Sequence, residues 1–109
     1  MPSTPMPASA VLIAALAEYG IAAIVEQHEG GNTAVVYRSP DTEAYFAEMD
    51  TPGTWSATHP ATEHRQWYGA FRYRARTAEL LHHAHQKSCA VDSRFAASVL
   101  ADYLTNPTR

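Results

Sequence analysis

The chain contains one cysteine, Cys89, and one lysine, Lys87, among its 109 residues. A single thiol excludes any intrachain disulfide, which suits a reducing compartment. No Lys or Arg precedes Arg38, so the apolar run Ala10–Ala17 lacks the basic flank of a secretory leader. That run is the longest in the chain, and it stops at Glu18, far short of the roughly 20 residues that cross a bilayer. These absences predict a cytoplasmic chain with no membrane partner. Catalytic signatures are missing as well. No Gly-Lys-Ser/Thr follows Gly30-Gly31 to make a phosphate loop, no serine sits in a GxSxG setting, and there is no HExxH. A Ser/His/Asp or Cys/His/Asp set can be assembled from Ser93, Cys89, His85 and Asp92, but six histidines in so short a chain allow that by chance. Nothing in the sequence calls for a cofactor, and the expectation is a protein that is not an enzyme.

What is present is globular. An apolar fraction of 46% against 17% charged residues fits a folded protein, and the length fits a single domain. Residues 1–8 carry three prolines and no periodicity, which predicts a loose, disordered tail ahead of one domain over 9–109. Seven of the eight basic residues are Arg and Ala is abundant. That balance is what GC-rich codons produce, and it suggests an actinobacterium or one of its phages as the source. Charge is unevenly spread: residues 1–64 hold eight acidic side chains against Arg38 alone, and residues 65–109 hold seven basic against three acidic. Such a split marks opposed faces unless the fold interleaves them.

Periodicity then gives the elements. Ser9 is a competent N-cap for a helix carrying Leu12, Ile13, Leu16 and Tyr19 on one stripe, ended by Gly20. Ile21–His28 and Thr33–Ser39, rich in Ile, Val and Tyr, flank Gly30-Gly31 as a hairpin. Residues 39–50 fit either a helix opened by Ser39-Pro40 or a strand. The turn signal Pro52-Gly53 favours a third strand, Glu43–Met49, paired with a fourth, Thr54–Thr58. Within 65–76, Trp67, Gly69, Phe71 and Tyr73 alternate with Tyr68, Ala70, Arg72 and Arg74, the period of a strand apolar on one face and basic on the other. Thr77 caps a short helix, Ala78–Lys87, and Asp92 caps a last one with Phe95, Val99, Leu100 and Tyr103 buried. The fold class read this way is α+β: an N-terminal helix, an antiparallel meander sheet of four or five strands, and two C-terminal helices packed on one sheet face.

Two residue sets could carry chemistry. Tyr68, Arg72, Arg74 and Arg76 on one strand face would space guanidinium groups by about 7 Å, twice the strand rise. Arg forks bind phosphate oxygens, and a neighbouring Tyr can stack on a base, so this face suits nucleic acid or a protein partner. His82, His85 and Cys89 fall on one helix face and are ligand types that zinc prefers, with His59 or His64 as a fourth from elsewhere. The leading reading is a non-enzymatic protein-interaction module whose sheet face or edge binds another protein or a second copy. It would suit an accessory protein of a phage or mobile element in a GC-rich bacterium. The alternatives are nucleic-acid binding through the arginine strand and metal binding through the His/Cys helix.

Overall fold

The computed structural model describes residues 6–51, 53–74, 76–81 and 88–105. Helix α1 spans Ala8–Ala17, followed by strands β1 (Ile24–Gln27), β2 (Thr33–Arg38), β3 (Thr42–Thr51), β4 (Thr54–Ser56), β5 (Tyr68–Tyr73) and β6 (Arg76–Leu81), and by helix α2 (Cys89–Thr105). The strands form an antiparallel sheet in the order β1-β2-β3-β5-β6. β3 is long enough to serve two neighbours: its first half pairs with β2 and β5, and its far end turns back into β4. Of the two alternatives for residues 39–50 the strand is the one found, from Thr42 onward. The turn into β4 has Gly53 at φ +85°, a conformation that L side chains rarely adopt.

Register sets the two faces. Val35, Phe46 and Gly69 lie side by side facing inward, as do Tyr37, Ala44 and Phe71. Tyr45 pairs with Val36 and Ala70 on the outer face, and Ala47 with Tyr68. α1 and α2 pack against each other over the inner face, where Leu12, Leu16, Val35, Phe46, Trp67, Phe71 and Leu100 make one apolar core. Ala15, Ala96 and Ala97, all buried, let the two helix backbones approach closely.

Several details depart from the periodicity. α1 starts at Ala8, so Ser9 lies inside the helix and is buried. No side chain caps it; instead the amides of Ala8 and Ser9 donate to the His59 and Ala57 carbonyls at 2.8 Å each. Thr77 does not cap a helix, because residues 76–81 pair with β5 from Tyr73↔Arg76 to Tyr68↔Leu81. An unpaired β5 edge gains more from that ladder than Ala, Glu and Leu gain from helix propensity. Among the described residues two α-helices, not three, cover the sheet. The second half of the expected Ala78–Lys87 helix lies outside the described residues. The last helix is capped by Ser88, whose Oγ accepts from the Val91 amide at 3.3 Å, and Asp92 is turned into the core. With the start moved four residues earlier, α2 buries Cys89, Asp92, Ser93, Ala96, Ala97 and Leu100, and Phe95 is left 52% exposed.

Candidate functional site: an outer-face groove and a buried His–His–acid cluster

Two features of the described residues stand apart from ordinary packing, one on each side of the sheet. The first is on the face that neither α1 nor α2 covers. Ala34, Ala47, Gly69 and Ala70 contribute little side chain to β2, β3 and β5, which leaves a hollow of about 310 Å³. His28, Tyr45, Met49, Trp55 and Tyr68 wall it. Asn32 holds the Trp55 wall: its Nδ2 donates to the Gly53 carbonyl and its Oδ1 accepts from the Trp55 amide, both at 3.2 Å. The His28 ring stands 6.3 Å from the Trp55 ring.

Beyond this groove the same face carries a charge row. Arg38 donates to both oxygens of Glu26, the Nη2–Oε1 bond being 2.9 Å, and through Nε to Glu43 at 3.0 Å. Tyr45 donates to Glu43 at 2.9 Å. The hydrogen bond from Arg38 holds Glu26 below the usual carboxylate range, and those from Tyr45 and then Arg38 do the same for Glu43. Arg72 also reaches Glu43, at 3.4 Å.

The predicted basic strand is therefore brought together only in part. Tyr68 lines the groove and Arg72 projects from the same face. Arg74 sits in the β5–β6 turn at φ +56°, its guanidinium 5.2 Å from the Tyr73 ring. Arg76 opens β6, and its side chain lies outside the described residues.

The metal set fares differently. His82 and His85 lie outside the described residues. Cys89 is buried at the first turn of α2, its Sγ 3.7 Å from Ser93 Oγ, and burial pushes its thiol pKa up. Ser88 lies just outside α2.

The second feature lies on the inner side, where the far end of β3, the 57–67 connection and the start of α2 meet. Glu48 Oε1, His59 Nε2 and His64 Nδ1 converge, and their donor atoms all lie within 4.8 Å of one another. His59 Nε2 is 2.7 Å from His64 Nδ1, and the two rings stack 5.0 Å apart. His64 Nε2 is 2.6 Å from Asp92 Oδ2, which also accepts the Trp67 amide at 2.7 Å. Trp67 covers the cluster with its ring 4.6 Å from that of His64, and its indole N–H donates to Ser93 Oγ at 2.8 Å. Burial works against charge on Glu48, yet the Arg65 and Gln66 amides, at 2.6 and 3.1 Å, more than offset it and keep its pKa low. Burial lowers the pKa of His59 and outweighs the attraction of Glu48, so the neutral ring is favoured.

Sequence reasoning placed His59 and His64 only as spare ligands, gave Asp92 to a helix cap or a chance catalytic set, and did not count Glu48 among the ligands. The spacing His59-Pro60-Ala61-Thr62-Glu63-His64, within the range of paired histidine ligands, was the available signal. No helix among the described residues is long and apolar enough to cross a membrane. Compared with protein-family models, curated proteins and solved structures, the chain matches none.

Proposed function

We propose that this protein is a binding module whose uncovered sheet face receives a segment of a partner protein. The observation that carries this reading is the groove itself, an aromatic-walled hollow with a floor of small residues on the face opposite α1 and α2. Trp, Tyr and Met are the side chains that anchor protein interfaces, and Arg supplies their polar rim. A small-molecule site would enclose most of its ligand and converge several polar groups on it. This groove is open to solvent and mostly apolar, which suits a side chain presented by another protein. The occupant is a segment with one large apolar anchor and a carboxylate directed at Arg74, whose guanidinium lies over the Tyr73 ring. Nucleic-acid binding has less support, because Arg72 is partnered by Glu43 and the row includes two carboxylates, Glu26 and Glu43. An accessory role in a phage or mobile element rests on size and composition alone.

The test is Ala70→Arg, which fills the groove floor from the solvent side and leaves the core untouched. Wild type and variant would first be matched by circular dichroism. They would then be compared in nuclease-treated pull-downs and in sedimentation of the purified chain. A discrete protein, or a self-associated species, present with wild type and lost with the variant supports the groove. Capture unchanged by Ala70→Arg, or abolished by nuclease, overturns it.

A further inference from the structure

The hydrogen-bond accounting of the buried cluster does not close with two neutral imidazoles. Asp92 is fully buried, and its Oδ2 already accepts the Trp67 amide, so the contact at 2.6 Å is one in which His64 Nε2 donates. The tautomer of His64 follows: Nδ1 carries a lone pair, and it points at His59 Nε2. If His59 Nε2–H fills that lone pair, then His59 Nδ1 is a bare acceptor. Nδ1 is buried, makes no hydrogen bond of ordinary geometry, and has the Ser56 backbone beside it. A backbone carbonyl cannot donate to a bare nitrogen. Moving the proton to Nδ1 suits that neighbour but leaves two imidazole lone pairs facing each other beside the carboxylate of Glu48. A cation between them resolves the conflict.

We propose that Glu48, His59 and His64 hold a divalent transition-metal ion of the zinc class, through Oε1, Nε2 and Nδ1. The ligand set is one that zinc uses, two imidazoles and a carboxylate, and both rings reach the centre as neutral bases. The separations of 2.7 Å between the nitrogens and 3.5 and 3.7 Å from each to Glu48 Oε1 bracket the value of about 3.3 Å that a tetrahedral ion requires. Asp92 completes a carboxylate–histidine–metal arrangement, in which the outer partner fixes the tautomer and raises ligand basicity. The Arg65 and Gln66 amides and the Arg65 guanidinium, 3.3 Å from Oε2, orient Glu48. Glu48 and His59 are slightly exposed and His64 is sealed, so the fourth position lies on the His59 side. This inference is independent of the outer groove.

The experiment uses the full chain without an affinity tag, stripped with chelator and titrated with Co²⁺ and then Zn²⁺. One equivalent of Co²⁺ is expected to give visible bands of low-symmetry coordination, displaced by Zn²⁺, with a rise in thermal midpoint. His59→Ala abolishes this, and Asp92→Asn weakens affinity by about 10–100-fold. A variant with His82, His83 and His85 all changed to Ala keeps it. Absence of binding tighter than about 10 μM in wild type overturns the proposal. So does binding that survives His59→Ala and disappears with the His82/His83/His85 variant. If His59→Ala fails to fold, Glu48→Gln and the wild-type stoichiometry decide, because a purely structural cluster binds no metal in any form.

Discussion

Arg38 illustrates what a single residue settles and how little of it the sequence shows. It is the only basic residue before position 64, and the alternation of β2 places it on the outer face. Its two carboxylate partners, Glu26 and Glu43, come from the strands on either side, β1 and β3. The acidic and basic portions of the chain are thus interleaved on this face, as β5 brings Arg72 to the same Glu43. Both carboxylates titrate below the ordinary value of 4.5 when folded. A lowered folded pKa contributes stability that is present above the unfolded pKa and is lost as pH falls through the folded one. Arg38→Gln should therefore lower the thermal midpoint at pH 7, and the gap from wild type should close between about pH 5 and pH 3. Melting curves at several pH values check this; a gap independent of pH would mean that packing of the Arg38 stem, not charge, is what the variant loses.

At the scale of elements, alternation was legible wherever one side of a strand was dry. β5 is the clearest case: Trp67, Gly69, Phe71 and Tyr73 do face the core side, and Tyr68, Ala70 and Arg72 face outward. The failures share a cause. Ser9, Thr77 and Asp92 are all competent caps by residue type, and tertiary partners overruled each of them: the 57–59 carbonyls, the β5 edge and His64. Gly69 shows how tightly the inner face of β5 is built. A Cβ there would meet Phe46 ring atoms at 3.2 and 3.3 Å and Phe71 at 3.3 Å. Those two rings are buried and already packed edge to face at 5.6 Å, so neither can give way freely. Gly69→Ala should cost about 1–3 kcal/mol in spite of the gain in strand propensity, measured by urea denaturation. A variant as stable as wild type would show that the Phe46–Phe71 pair has slack.

Over the whole molecule, the buried cluster was hidden because its members come from positions 48, 59, 64 and 92, with no shared periodicity to link them. Topology assembles them. β3 outlasts its neighbours and delivers Glu48, the chain crosses from β4 to β5 through both histidines, and α2 starts close enough to present Asp92 and Ser93. α1 then locks the crossing from the other side, since the Ala8 and Ser9 amides are bonded to the His59 and Ala57 carbonyls and the Ala61 amide to the Met6 carbonyl. A loop with that many long-range bonds belongs to the core's cooperative unit, whereas β1, a four-residue edge strand with Ile24 and Val25 exposed, does not have to. Native-state hydrogen exchange separates the two. The Trp67 and Ser9 amides should exchange only through global unfolding, at one shared free energy that falls with denaturant as the equilibrium stability does, and β1 amides should exchange sooner through local opening. Rapid exchange at Trp67 with the rest of β5 still protected would make residues 57–67 a separately opening flap. The cluster would then be a transient assembly, not a preformed one, and any ligand it holds would have to supply the ordering of the loop as well as its own binding.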